Sequence, residues 1–144
     1  MITPILGYTG QPETASISYN NLYISRNTWP SSAPLVGMIV PIAGTMNNFN
    51  IKLDTAPGSG KSYTFVLVLN DSDSALSITI SDTSTIGSDT STSLSLVAGD
   101  RIYLKCTPSG TPTITANTHY YMLFNANANE SILMGGNNWV LDNR

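Results

Sequence analysis

The chain has 144 residues and a formal net charge of −3, which is room for one domain whose core needs neither a disulfide nor a metal. Only 10% of its residues are charged, against about 25% in an average soluble domain, and Ser, Thr and Asn fill about a third of the sequence. Six Lys and Arg scattered along an acidic chain exclude nucleic acid as a partner, because affinity for a phosphate backbone comes from clustered cations. One Cys excludes an internal disulfide and a cysteine-based zinc site.

Met1-Ile2-Thr3-Pro4 has neither the basic start nor the apolar run of a secretory signal, so the expected product is made in the cytoplasm. The greasiest segments, Leu35 to Ala43 and Phe65 to Leu69, fall short of the roughly 20 residues that cross a bilayer, and no membrane partner is expected. The first 30 residues carry scattered polar groups and weak strand signals. They fit either an arm reaching to a neighbour or a first strand pair.

Further on, a period of two dominates and no segment shows the 3.6-residue period of an amphipathic helix. Ser16 to Ser25 and Leu35 to Ile42 read as strands. Gly44 to Leu53 carries Met46, Phe49, Ile51 and Leu53. Ser62 to Asn70 sets Tyr63, Phe65, Leu67 and Leu69 against Thr64, Val66 and Val68. Leu76 to Ile80, Ser93 to Val97 and Arg101 to Thr107 alternate in the same way, and Tyr120 to Asn125 closes the set. Residues at i and i+2 share a face of a strand, so each sheet packs on one side and faces water on the other.

Turn chemistry separates these strands: Ala56-Pro57-Gly58-Ser59-Gly60, Asn70-Asp71-Ser72-Asp73-Ser74, Ala98-Gly99-Asp100 and Thr107-Pro108-Ser109-Gly110-Thr111-Pro112. Gly supplies positive φ, Pro fixes φ, and Asp or Asn bonds back to the local backbone. Short strands with no crossover helix between them predict an all-β fold, a single antiparallel sandwich of jelly-roll type with eight to ten strands. The whole of 1–144 is expected to be that one domain. A short echo links Pro4-Ile5-Leu6-Gly7-Tyr8-Thr9-Gly10 to Ser131-Ile132-Leu133-Met134-Gly135-Gly136-Asn137.

The central block, residues 44–112, also resembles a known module. Its run is Ala43-Gly44-Thr45-Met46, then Leu53-Asp54-Thr55-Ala56-Pro57-Gly58-Ser59-Gly60-Lys61-Ser62-Tyr63-Thr64-Phe65, Ile86-Gly87-Ser88-Asp89-Thr90, Val97-Ala98-Gly99-Asp100 and Thr107-Pro108-Ser109-Gly110-Thr111-Pro112. In this order the pieces resemble a jelly-roll module of tailed-phage structural proteins. The resemblance implies a tumour-necrosis-factor-like sandwich, often a homotrimer, displayed on the virion as a head decoration, head fibre or fibre tip. Its implied partners are copies of itself and the capsid or other virion proteins. It carries over no catalytic residue, cofactor or metal. The alternative it leaves open is a receptor- or carbohydrate-binding fibre tip that meets host surface glycans.

Residues that invite chemistry each have a plainer reading. Gly58-Ser59-Gly60-Lys61-Ser62 imitates a phosphate loop, but Thr55 stands where its first glycine belongs and an alternating strand follows where a helix must. Asn70 to Ser74 offers oxygens to a calcium ion, yet Ala75 and Leu76 occupy the next ligand and glycine positions of such a loop. Cys106 shares a face with Ile102 and Leu104, which predicts a buried, inert thiol, and His119 opens a strand beside Tyr120 and Tyr121. The Asp residues lie in or next to turns, so no carboxylate pair for sugar hydrolysis is marked, and no enzyme is expected. Aromatics remain: Tyr8, Tyr19, Tyr23, Trp29, Tyr120, Tyr121 and Trp139 lie outside the central block. Trp and Tyr combine contact area with a polar handle. Trp29, in front of Pro30 and two serines, is the first choice for an interface or ligand contact, with Tyr23 and Trp139 beside it.

Overall fold

The computed structural model describes residues 2–22 and 29–127, and they form an all-β sandwich of jelly-roll type. In chain order the strands are β1 (Ile2–Thr9), β2 (Ser18–Asn20), β3 (Met38–Ile39), β4 (Gly44–Leu53), β5 (Gly58–Leu69), β6 (Ser72–Asp82), β7 (Ile86–Leu96), β8 (Arg101–Ser109) and β9 (Thr118–Ala126), with one 3-10 turn at Ala33–Leu35. One sheet runs β1-β9-β4-β7. The other runs β2-β8-β5-β6, with β3 also pairing to β8. Every pairing is antiparallel, and the jumps between neighbours far apart in sequence carry the chain from sheet to sheet.

The alternation read from the sequence sets which residues enter the core. Tyr63, Phe65 and Leu67 of β5, Leu76, Ile78 and Ile80 of β6, and Ile102, Leu104 and Cys106 of β8 are buried from one sheet. Met46, Phe49, Ile51 and Leu53 of β4 meet them from the other, with Tyr120, Met122 and Phe124 of β9. The step of three from Met46 to Phe49 is a bulge at Asn48, whose φ is +52°. The extra residue lets Met46 and Phe49 both face inward. At the β6–β7 side the sheets come so close that a Cβ on Gly87 would sit 2.3 Å from the Ile78 side chain.

The β5–β6 turn is as tight as its composition demands. Leu69 pairs with Ser72, and Asn70 and Asp71 between them take φ of +48° and +65°, the geometry of a two-residue primed hairpin turn. Its carboxylates are occupied by side chains of β8. Arg101 pairs with Asp71 and Lys105 with Asp73, and the Tyr103 hydroxyl donates to Asp71 at 2.9 Å.

The first part of the chain folds onto its own sandwich. β1 pairs along its whole length with β9. Of the strands expected over Ser16 to Ser25 and Leu35 to Ile42, the described residues form Ser18–Asn20 and Met38–Ile39, two short pairings to β8, while residues 23–25 lie outside the described residues and Val36 packs on the outer face of the sheet. Val36, Val68 and Tyr103 make a small second core on the outer face of the β8–β5 pair, with Tyr19 and Ala33 against it. Arg101 holds this cover in place: its guanidinium donates to the carbonyls of Ala33 and Val36 and lies 4.8 Å from the Tyr103 ring centre.

Candidate interaction face

Trp29 is a core residue. It is 1% exposed, its ring meets Phe65 edge-on at 5.9 Å, and its indole N–H donates to Thr9 Oγ1 at 2.6 Å. The expectation of a surface contact is therefore corrected: the indole ties the cover segment to the end of β1 and has no face left for a partner. The Trp-Pro-Ser-Ser context reads as an exposed loop, but burial was decided by the pocket between β1 and Phe65, which no local pattern encodes. Tyr23 and Trp139 lie outside the described residues.

Other groups singled out by chemistry have structural employment. Residues 58–62 begin β5, and a strand follows Lys61; the Gly60 N–H donates to Asp82 Oδ1 at 2.8 Å. Cys106 is fully buried, and burial alone pushes its thiol pKa up, which leaves it a poor nucleophile. Asp89 lies within β7, not at a turn between strands. It accepts the N–H groups of Ser91 and Thr92 at 3.2 and 3.0 Å where the register with β4 slips, and these bonds hold its carboxyl below the usual value against the opposing effect of burial. Among the described residues no group of three or more His, Cys, Asp or Glu is gathered as metal ligands.

What stands out is the outer face of the β1-β9-β4-β7 sheet. Register places Leu6, Tyr121, Asn50 and Ser88 side by side across the four strands, and Tyr8, His119, Lys52 and Ile86 in the next row. Leu6 is 71% exposed, Ile86 64%, Tyr8 53% and Tyr121 44%, and Ile2 stands exposed further along β1. Large apolar side chains that are bare together on one surface mark a contact site, whereas single ones need no explanation. Between Leu6, Tyr121 and Ile86 runs an open groove of ≈ 390 Å³, also lined by Asn50, Lys52 and His119.

A hydrogen-bonded chain of side chains lies at one end of this face. The Tyr8 hydroxyl donates to Asn117 Oδ1 at 2.6 Å, Asn117 Nδ2 donates to Asp54 Oδ2 at 2.6 Å, and His119 Nε2 lies 3.0 Å from Asp54 Oδ1. The His119 ring meets the Tyr8 ring edge-on at 5.0 Å. Hydrogen bonds from Asn117 and then His119 hold the Asp54 carboxyl below its usual range, so it is ionised across ordinary pH. The face thus carries one cation, Lys52, balanced by Asp54 at its end.

This surface was only partly legible. Tyr8 and Tyr121 belong to the aromatics outside the central block, whereas no local pattern distinguishes Leu6 and Ile86 as exposed contact residues. In β1, Ile5 and Leu6 are adjacent, with Ile5 buried and Leu6 bare, so the apolar pattern lacks alternation, and Pro4 and Gly7 add the look of a loop. Compared with known proteins, the chain matches no family model and no curated protein.

Proposed function

We propose that the chain is a structural protein of a virion, a phage capsid decoration or head-fibre jelly roll that binds the shell and neighbouring copies of itself as a homotrimer. The observation that carries this reading is the bare apolar outer face of the β1-β9-β4-β7 sheet, where Leu6, Tyr8, Ile86 and Tyr121 stand exposed together. Identical copies approaching through such a face meet little like-charge repulsion, because Lys52 and Asp54 balance within each copy. The antiparallel sandwich is a fold able to serve such a role, and the low overall charge suits a surface packed among many copies.

The test is a sedimentation measurement on the intact chain, followed by co-sedimentation with capsids. The expected species has three times the 15.4 kDa chain mass and pellets with capsids. The double variant Leu6→Asp, Tyr121→Asp is expected to stay monomeric. A parent chain that is monomeric and has no affinity for capsids ends the reading.

The second reading, a carbohydrate-binding fibre tip, draws on the same groove, where Tyr121 offers a stacking surface beside Asn50, Lys52 and His119. Binding of the wild-type chain to immobilised host glycans, lost in Tyr121→Ala, would favour it over self-assembly.

A further inference from the structure

His119 stands in the end row of the apolar face, between exposed apolar residues on either side. In its row it is flanked by Tyr8 on β1 and by Lys52 on β4, with Ile86 beyond on β7. Any partner that covers both Tyr8 and Ile86 must also cover His119 and Lys52. The imidazole is 43% exposed and Asp54 35%, so both lose water when the face is covered.

The charged and titratable groups around it are few. Tyr8 faces it from β1, Lys52 from β4, Asp54 from the end of that strand, and Tyr121 lies two residues on along β9. With a neutral imidazole, Lys52 and Asp54 cancel. With an imidazolium, each copy brings one uncompensated positive charge into the contact, next to an existing lysine. Symmetry then repeats that charge in every copy around the axis. Transferring an extra charge out of water is costly even where one carboxylate is at hand, and histidine is the side chain whose charge ordinarily changes in mild acid.

We propose that protonation of His119 loosens self-association through this face, so that copies hold together at neutral pH and separate in mild acid. The inference rests on the self-assembly reading of the face given above. Linkage sets its scale: for each proton that the assembled form excludes, association weakens by at most about tenfold per pH unit.

Sedimentation equilibrium at pH 7.5 and 5.5 tests it, on the intact chain and on His119→Gln and Lys52→Gln, with circular dichroism at both pH values to confirm that the sandwich is intact. The wild-type dissociation constant is expected to rise about tenfold or more in acid. His119→Gln is expected to show no difference between the two pH values, and Lys52→Gln a reduced one. Three results overturn the proposal: a wild-type assembly equally tight at both pH values, a His119→Gln variant with the wild-type acid response, or dissociation accompanied by loss of β-structure. A chain that is monomeric at both pH values overturns the self-assembly reading and this inference with it, whereas a pH-independent assembly removes only the inference.

Discussion

Replacing Trp29 separates a core role from a contact role. The indole is buried against Phe65 and its N–H is bonded to Thr9 Oγ1 and to the Gly10 carbonyl at 2.6 and 3.2 Å. Truncating a buried Trp to Ala costs about 3–5 kcal/mol in lost contacts and cavity. The unmade hydrogen bond to buried acceptors adds about 1 kcal/mol. Against a total stability of about 5–15 kcal/mol, Trp29→Ala removes a large share of what holds the fold. With a urea slope of about 2 kcal/mol/M, its unfolding midpoint should fall by about 2–3 M. Trp29→Phe keeps an aromatic edge against Phe65 and loses the donor, so a smaller cost of about 1–2 kcal/mol is expected. Urea titrations followed by far-ultraviolet circular dichroism read both. A Trp29→Ala midpoint within about 0.5 M of the parent would refute the argument, since no packed indole can be removed at that cost.

Two further outcomes follow from packing and from charge. A Cβ on Gly7 would lie 1.9 Å from Cζ of Tyr120, whose buried hydroxyl donates to the Asn21 carbonyl at 3.1 Å; Gly7→Ala should therefore cost about 1–3 kcal/mol, and a thermal midpoint equal to the parent's would show that β1 moves aside freely. Asp100 accepts the Val97 N–H at 2.8 Å and Asn70 Nδ2 at 2.7 Å, bonds that lower its pKa from the ordinary 3.8. A folded-state pKa below the unfolded one contributes stability above the unfolded value that is lost as pH falls through the folded value. Asp100→Asn should thus lower the urea midpoint at pH 7 and flatten its decline between about pH 5 and pH 2, and an unchanged decline would count against the assignment.

Where burial follows from alternation, the sequence was readable. Tyr63, Phe65 and Leu67 face the core as their spacing requires, Cys106 lies with Ile102 and Leu104 as the register of β8 requires, and the two-residue step breaks at Met46 and Phe49 where Asn48 bulges. Turns were readable for the same local reason, since positive φ at Asn70 and Asp71 is a property of two residues. What depends on distant partners was not. Trp29 is buried by β1 and Phe65, far away along the chain, and its neighbours carry no trace of either. β1 itself has apolar residues on both faces, one set for the core and one left bare, so no period marks it as a strand.

The two outer faces of the sandwich are treated in opposite ways, and that contrast bears on the face left open. On the β8–β5 side, Val36 and Ala33 cover Val68 and Tyr103, and Arg101 fastens the cover by bonds to two carbonyls. Beyond the cover, the outward positions of β6 are Ser77, Thr79 and Ser81, all exposed. Hydroxyl residues therefore suffice at outward strand positions in this chain, and the outward Ser93 and Ser95 of β7 repeat the point. Nothing about forming a strand asks for more. Leu6 and Tyr121 occupy equivalent outward positions on β1 and β9, where Ser or Thr would leave less apolar surface in water, whereas Tyr8 there is bonded to Asn117 and packs edge-on against His119. On the self-assembly proposed above, the presence of Leu6 and Tyr121 is explained by what meets that surface, not by the sandwich beneath it. A neighbouring copy that covers them gains apolar burial while leaving Lys52 balanced by Asp54, and the cost of that balance failing falls on His119.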